Sequence, residues 1–233
     1  MDSVWEKLHS SQEWGKYPAE DIIRKVMRAY RQRSTRETTK VLELGCGAGA
    51  NLSFFLNEGF QTFGVDGAPS AINAARERLQ PMKSEGQILE LTCATFDQVD
   101  YPDEHFDLII DYFAIYANPM SSITSTLDNA FRMLKPGGRL YSRSWGTLCQ
   151  GAETGEIIEA GTSKNPESGP CCNMGITHFF SLEEIQNLFS EWSEVEITRV
   201  FSEPVNADAE RTALSASQPT GSQIEEWVVW AVR

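Results

Sequence analysis

The sequence has little positive charge, little histidine and no cysteine pattern typical of a metal site. Its 233 residues contain 20 Lys and Arg against 33 Asp and Glu, which gives a net charge of −13, and only three histidines. Because so acidic a surface repels phosphate backbones, we expect no nucleic-acid partner. The five cysteines are an odd number and show neither C-x-x-C nor Cys/His metal spacing, so we expect free thiols and no metal.

Long apolar runs are missing as well. No stretch reaches the length of a membrane span or of a signal-peptide core, which predicts a cytoplasmic protein with no membrane partner. With 41% hydrophobic residues, the chain is long enough for one well-covered core and short for two. We therefore expect a single α/β domain with modest additions, as a monomer or a homodimer.

A glycine-rich turn between a strand pattern and a helix pattern dominates the first half of the chain. Residues 40–50 read KVLELGCGAGA, in which a β-type run precedes Gly45, Gly47 and Gly49. Glycines let the turn pass close to a ligand, and the first amides of the following helix can donate to it. Asp66 ends the next strand pattern, where its carboxylate can accept bonds from two ribose hydroxyls. Together these features predict a nucleoside pocket.

The motif ELGCGAG with a downstream VD resembles the class I S-adenosylmethionine-dependent methyltransferases, especially those that act on small molecules. Residues 131–146, FRMLKPGGRLYSRSWG, resemble the helix, turn and fifth strand of the same family. The resemblance implies a Rossmann-like, doubly wound, mostly parallel seven-stranded sheet with a C-terminal antiparallel hairpin and an N-terminal helical lid. It also implies S-adenosyl-L-methionine as cofactor and S-adenosyl-L-homocysteine as product.

The resemblance places the cofactor along the glycine turn and the strand ends that follow it. Thr95 and Phe96 stand where the family embraces the adenine, and Thr95 can accept a hydrogen bond while Phe96 packs on the ring. The full set of expected cofactor contacts is Trp14, Glu43, Gly45, Cys46, Gly47, Gly49, Asp66, Gly67, Thr95, Phe96 and Asp111.

The acceptor side of the expected site carries candidate proton-transfer and anchoring groups. We expect His178 to act as a base, with Tyr17 and Tyr112 as rival donors or weak bases, because a histidine titrates near working pH. A purely structural role for His178 is the alternative. Tyr17, Tyr116, Arg143 and His178 are the expected substrate contacts, with Arg143 meeting an anionic group unless a nearby carboxylate pairs with it.

The chain divides into four expected segments within one methyltransferase domain. These are a lid or cap over 1–35, a cofactor-binding core over 40–145, a substrate-specificity insertion over 149–180, and a C-terminal helix with antiparallel strands over 181–233. Trp14 and Tyr17 of the lid either contact ligand or only anchor the segment, and the insertion is otherwise a connecting loop. A short helix is predicted over 155–160, a capping box at Ser181 and Glu184, and a mobile polar link between the last two strands.

The expected reaction is methyl transfer to an oxygen, or second to a nitrogen, of a small metabolite, natural-product or sugar/phospho-type acceptor by in-line displacement. Two other functions are considered. A non-catalytic or regulatory S-adenosylmethionine-binding subunit would keep the same pocket. An NAD-binding oxidoreductase fits Gly45-x-Gly47-x-x-Ala50, but the chain after Arg139 offers no second βαβαβ half.

Overall fold

The structure is a computed structural model, and it describes residues 3–11, 14–203 and 223–233. The polar link that was predicted to be mobile lies, over residues 204–222, outside the described residues. In the described ranges the strands are β1 (Lys40–Leu44), β2 (Gln61–Asp66), β3 (Leu89–Cys93), β4 (Phe106–Tyr112), β5 (Leu134–Trp145), β6 (Glu156–Glu159), β7 (Thr162–Lys164), β8 (Ile176–His178), β9 (Ser193–Ser202) and β10 (Ile224–Val232).

Helices precede and connect these strands. The α-helices of the described ranges are α1 (Ser3–Ser11), α2 (Glu20–Ala29), α3 (Arg33–Arg36), α4 (Ala50–Asn57), α5 (Pro69–Leu79), α6 (Met120–Met133) and α7 (Leu182–Leu188), and short 3-10 helices cover Gln80–Met82 and Phe96–Gln98. None of the helices in these ranges has the length and apolar character needed to cross a membrane.

Seven strands form one sheet in the order β3-β2-β1-β4-β5-β10-β9. Strands β1 to β5 run parallel, whereas β10 pairs antiparallel with both β5 and β9. This arrangement confirms the predicted Rossmann-like sheet with its antiparallel C-terminal pair. The carboxyl ends of β1 and β4 lie side by side where the direction of winding reverses, which is the position at which open α/β sheets bind ligands.

The core consists of one apolar cluster on each face of the sheet. Residues alternate between the two clusters along a strand, so Leu42 of β1 belongs to the first and Val41 to the second. Ile22 and Val26 of α2 are fully buried in the second cluster, which fixes the base of the N-terminal segment on the sheet. The strands and helices that carry the site are therefore held in place by the two apolar clusters.

Three local features differ from the sequence predictions. The prediction of a helix over 155–160 is wrong. Glu156–Glu159 is instead strand β6 of a small antiparallel sheet with β7 and β8, which agrees with the two consecutive β-branched isoleucines in its sequence. Helix α1, at Ser3–Ser11, was not predicted and buries none of its residues. The expected turn at KPGG is an irregularity inside β5, where the register shifts between the pairs of Leu134 and Arg139 with β4.

The capping box of α7 is confirmed and provides a test of local stability. Ser181 Oγ accepts from Glu184 N at 3.2 Å, and Glu184 Oε2 accepts from Ser181 N at 2.8 Å. Ser181→Ala should lower the free energy of unfolding by about 1 kcal/mol, because the helix loses its capping acceptor. Chemical denaturation measures this change, with the exposed Ser190→Ala as the matched control. Equal effects of the two substitutions would contradict the role of the cap.

Candidate functional site

A cavity of about 430 Å³ opens at the carboxyl ends of β1, β2, β4 and β5. Its walls come from the glycine turn after β1, the loop after β4, the N-terminal segment and the insertion. The volume falls within the range of small-molecule and cofactor sites. Of the predicted site residues, the cavity is lined by Trp14, Tyr17, Glu43, Gly45, Cys46, Gly47, Asp66, Gly67, Thr95, Phe96, Tyr112 and Tyr116.

The glycine turn needs its glycines for two different reasons. A Cβ on Gly45, whose φ is +71°, would lie 2.2 Å from the Cβ of Ala114, so this glycine allows the turn to meet the loop after β4. Gly49 does not line the cavity; a Cβ there would lie 2.7 Å from Leu79 Cδ1 of α5. We therefore correct the assignment of Gly49 from cofactor contact to packing of α4 against α5. Cys46 is buried, and burial raises the pKa of its thiol.

Glu43 presents an unsatisfied carboxyl oxygen at this cavity. The residue is 3% exposed, and its Oε1 accepts from Asn51 Nδ2 at 2.7 Å. Its Oε2 is buried and has no hydrogen-bond partner among the described residues. Burial raises the pKa of Glu43 to about 8, against the bond from Asn51 and with the nearby Asp66 charge adding to the rise. A buried oxygen without a partner is costly, so this group fits a ligand that hydrogen-bonds to it, and a ligand with a positive charge would return it to the carboxylate form.

Asn51, which the sequence did not single out, connects Glu43 to the N-terminal segment. Its Nδ2 donates to Glu43, and its Oδ1 accepts from the backbone N of Ala19 at 2.9 Å. Ala19 is the residue that precedes α2, and both Ala19 and Asn51 line the cavity. The only sequence signal was a polar residue in the first turn of a largely apolar helix. Asn51 thus joins Glu43 on the cavity wall to the N-terminal segment.

Asp66 and Thr95, for which ribose and adenine contacts were predicted, both line the cavity. Asp66 is 7% exposed, and its two oxygens accept from Gly47 N at 2.9 Å and Ala68 N at 2.8 Å. These bonds attach the glycine turn to the end of β2 and leave lone pairs for a ligand. Thr95 Oγ1 is buried and has no hydrogen-bond partner within the described ranges, and Phe96 lies beside it on the cavity wall.

Helix α1 supplies two lining residues that the sequence did not predict, Trp5 and His9. The ring of His9 lies 4.9 Å from that of Trp14, and a Cβ on Gly47 would lie 3.4 Å from His9 Cε1. Burial lowers the pKa of His9, although the charges of Asp66 and Glu6 oppose this effect. The spacing of Trp5 and His9, one helical turn apart, was the available signal.

The rest of the N-terminal segment meets the cavity at its edge. Glu6 Oε2 accepts from Ser70 Oγ at 2.9 Å, which attaches α1 to the start of α5. Tyr17 lines the rim but is 89% exposed, so it is poorly enclosed for proton transfer.

The structure corrects the expected role of Asp111. It is fully buried and does not line the cavity. Its Oδ1 accepts from the backbone amides of Ala114 at 3.1 Å and Ile115 at 3.0 Å, and its Oδ2 accepts from Ser142 Oγ at 2.6 Å. Burial raises the pKa of Asp111 to about 6, and the three donors limit the rise. Asp111 therefore holds the loop after β4 in place rather than contacting the cofactor.

Arg143 is paired inside the protein and does not line the cavity. Its guanidinium donates to Asp21 Oδ2 at 2.5 Å and to Glu226 Oε2 through both Nε and Nη2. These carboxylates raise its pKa despite burial. Because two carboxylates already use its donors, the predicted contact with an anionic substrate is not supported. The alternative of pairing with a nearby carboxylate is the one found.

His178 is also corrected, because it lies outside the cavity with no exposed surface. Its Nδ1 is 2.7 Å from Thr162 Oγ1, and its Nε2 is 3.7 Å from Glu184 Oε1. Burial lowers its pKa, which keeps the ring neutral near pH 7, although the Glu184 and Glu159 charges act in the opposite direction. This geometry matches the structural alternative and not a base that contacts substrate.

The two remaining tyrosines of the predicted site, Tyr112 and Tyr116, line the cavity. Tyr112 ends β4 and Tyr116 lies in the following loop, where Tyr116 is 3% exposed. Burial raises the pKa of both phenols, so both stay protonated near neutral pH and can donate hydrogen bonds but are poor bases.

Residues 41–138 match the sequence profile of a methyltransferase domain family. The chain is similar to the ubiquinone biosynthesis O-methyltransferase of Nitrobacter winogradskyi, with 32% identity over 51% of this chain and 45% of that protein. It is also similar to the tRNA N(3)-methylcytidine methyltransferase Mettl2 of Drosophila melanogaster, with 30% identity over 46% of this chain and 34% of that protein. The chain thus spans less than half the length of these relatives, and their acceptors differ.

Solved structures share the fold over nearly the whole chain. A methyltransferase from Methanosarcina mazei, described as S-adenosylmethionine-dependent, has a TM-score of 0.63 at 19% identity and covers 89% of this chain and 96% of its own. The N-methyltransferase NodS from Bradyrhizobium japonicum, solved with S-adenosyl-L-homocysteine, has a TM-score of 0.59 at 18% identity and covers 100% of this chain and 99% of its own. At such low identity, these likenesses establish the fold alone.

The raised pKa of Glu43 predicts a pH-dependent stability. Between its ordinary pKa of 4.5 and about 8, folded Glu43 keeps a proton that the unfolded chain releases. The free energy of unfolding therefore falls as the pH rises through this window, and the loss ends above about pH 8. Glu43→Gln should flatten the dependence of the unfolding free energy on pH between about pH 6.5 and pH 8. This window lies above the pKa of Asp111, so the titration of Asp111 does not obscure the effect. Denaturation at several pH values measures it, with the exposed Glu85→Gln as control; an unchanged slope in Glu43→Gln would refute the protonated carboxyl.

The two bonds of Asn51 predict a specific loss of stability. Asn51→Leu, of similar volume, should cost about 2–4 kcal/mol, because it leaves the buried Glu43 Oε1 and the partly buried Ala19 N without their partner. It should also speed proteolytic cleavage within residues 14–19. Asn57→Leu, exposed at the end of the same helix, should change stability by only about 0.5 kcal/mol or less. Indistinguishable results from the two variants would show that the two hydrogen bonds of Asn51 do not contribute to the free energy of unfolding.

Proposed function

We propose that this chain, a member of the class I S-adenosylmethionine-dependent methyltransferase family, moves a methyl group from S-adenosyl-L-methionine to an oxygen of a small molecule, with nitrogen as the second choice. The observation that carries the proposal is the pair of unsatisfied buried oxygens, Glu43 Oε2 and Thr95 Oγ1, on the walls of one cavity beside the glycine turn. The family match over residues 41–138 and the shared fold support it.

The residues present fit the cofactor. Glu43 and the close glycine turn suit the methionine part, Asp66 suits the ribose hydroxyls, and Thr95 with Phe96 suits the adenine. When bound, S-adenosylmethionine supplies an electrophilic sulfonium methyl group. A positively charged ligand beside Glu43 would lower the raised pKa of that carboxyl, so the ionised carboxylate would favour such a ligand over a neutral one.

The protein's own contribution is alignment and exclusion of water. Trp5, His9 and Trp14 lie along the cavity on the side of α1, and Glu6 attaches that helix to Ser70. Tyr112 and Tyr116 both line the cavity, where Tyr112 can donate a hydrogen bond to the acceptor atom. The insertion supplies Pro170 and Met174 to the wall, which supports its proposed role in acceptor specificity.

Two other functions fit less well. For an NAD-dependent oxidoreductase, the sheet would need a second parallel half beyond β5, where the described chain has the antiparallel strands β10 and β9. A non-catalytic cofactor-binding subunit would share the pocket, and only a transfer assay separates it from an enzyme. The net charge of −13 favours a small acceptor over a nucleic acid, and we place the protein in the cytoplasm as a monomer or homodimer.

Binding by calorimetry tests the cofactor and the role of Asp66. Wild-type protein should bind S-adenosylmethionine and S-adenosylhomocysteine and should not bind NAD. Asp66→Asn should weaken cofactor binding by about 1.5–3 kcal/mol, since charged hydrogen bonds to the ribose are lost. Asp107→Asn, at the opposite end of the sheet, is the control. Binding of NAD alone would overturn the proposed function, and unchanged affinity in Asp66→Asn would remove the ribose assignment.

A further inference from the structure

We propose that the acceptor is a flat aromatic molecule bound against the rings of Phe113, Tyr116 and Trp145. This inference deepens the proposed function and rests on it. The three side chains, which we call the aromatic corner, all line the cavity beyond the glycine turn.

The rings of the aromatic corner are arranged to receive another ring. Phe113 and Trp145 stack with centroids 4.2 Å apart and planes 28° apart. Tyr116 stands nearly perpendicular to both, at 6.5 Å from Phe113 and 6.2 Å from Trp145. Stacked and edge-to-face contacts are the two geometries that aromatic rings prefer, so a flat ring placed here gains one or both.

The corner is held in position by the backbone beneath it. Phe113 has a φ of +54°, a conformation that bulky residues rarely adopt, and its N donates to Arg143 O at 2.9 Å. The next two amides, of Ala114 and Ile115, donate to the buried Asp111. A bulky residue that keeps such a strained conformation at a cavity wall indicates that the position of its ring serves ligand binding.

The corner also lies next to the proposed cofactor position. Ala114, which follows Phe113, is the residue that a Cβ on Gly45 would strike. A molecule lying on the corner is therefore adjacent to the glycine turn and to Glu43. This proximity is what in-line transfer from the proposed cofactor requires.

The lining of the corner is apolar or neutral. Its neighbours on the cavity wall are Tyr112, Ala117, Asn118, Pro170 and Met174, whereas the charged or titrating groups Glu43, Asp66 and His9 lie at the glycine turn and α1. A phosphate or carboxylate buried here would lose hydration without the help of Arg143, which is paired elsewhere. The chemistry of the wall thus favours a neutral flat ring over a sugar phosphate.

A cationic acceptor is the other ligand that aromatic walls recognise. Here the cation is already supplied by the protein, because the Arg143 guanidinium lies 5.7 Å from the ring centroid of Tyr112 and 5.4 Å from that of Phe113. An ammonium group beside these rings would meet the like charge of the guanidinium, which an uncharged ring does not.

Calorimetry on the full chain saturated with S-adenosylhomocysteine tests the proposal with four probes. These are 2-naphthol, its saturated counterpart decahydro-2-naphthol, glucose 1-phosphate and phenyltrimethylammonium. We expect 2-naphthol to bind about tenfold more tightly than the saturated alcohol, and the two charged probes to bind more weakly than 2-naphthol. Trp145→Leu should remove this preference and Trp145→Phe should keep it. Trp230→Leu, which does not line the cavity, should leave it unchanged.

The outcomes separate this inference from the proposed function. Failure of wild-type protein to bind S-adenosylhomocysteine would overturn the proposed function itself. If S-adenosylhomocysteine binds normally, three results would overturn the aromatic acceptor alone. These are equal affinity for 2-naphthol and decahydro-2-naphthol, tighter binding of either charged probe than of 2-naphthol, and no binding of 2-naphthol. The wild-type comparison decides the question even if Trp145→Leu does not fold, and loss of the preference in Trp230→Leu would also count against the corner.

Discussion

Three buried carboxyl groups at one edge of the sheet need hydrogen-bond donors, and meeting that need shapes the site. Glu43, Asp66 and Asp111 stand at or near the ends of β1, β2 and β4, and each is at most 7% exposed. Because a buried carboxyl group without partners is costly, the surrounding chain supplies amides: the Asn51 side chain to Glu43, and backbone amides to Asp66 and Asp111. These bonds fix the positions of three segments, namely the glycine turn, the loop after β4 and the base of the N-terminal segment.

The three groups differ in how completely they are satisfied, and this difference separates support from binding. Asp111 receives three donors and does not line the cavity, so it holds the loop that carries Phe113 and Tyr116. Glu43 receives one donor and leaves its second oxygen buried and unpaired at the cavity. The same chemical group thus serves structure at one strand end and is available to a ligand at the next.

The sequence predicted those features whose causes are local. Alternating and continuous apolar runs indicated the strands, the glycine spacing indicated the turn, and the Ser181 capping box was encoded within four residues. Parallel strand ends necessarily meet at one edge, so the expected positions of Glu43 and Asp66 on the cavity wall followed from the order of elements.

The features that were missed depend on partners far away in the chain. For Arg143 the sequence left substrate binding and pairing with a carboxylate both open, because its partners Asp21 and Glu226 lie 122 and 83 residues away along the chain. His178 was expected near the substrate because it precedes a capped helix, but in the fold it is buried outside the cavity. Helix α1 buries none of its residues, so its pattern gave little periodic signal, and yet it brings Trp5 and His9 to the wall.

The left-handed backbone at Phe113 has a consequence for how this protein responds to selection. Strain of this kind costs about 1–3 kcal/mol, which is a sizeable part of the 5–15 kcal/mol by which domains are usually stable. Glycine or asparagine would relieve it at once but would take away the ring. Because the ring also stacks on Trp145 and packs against the core, its loss opposes the relief of strain, so a directed-evolution screen for heat resistance should retain phenylalanine here and gain stability elsewhere.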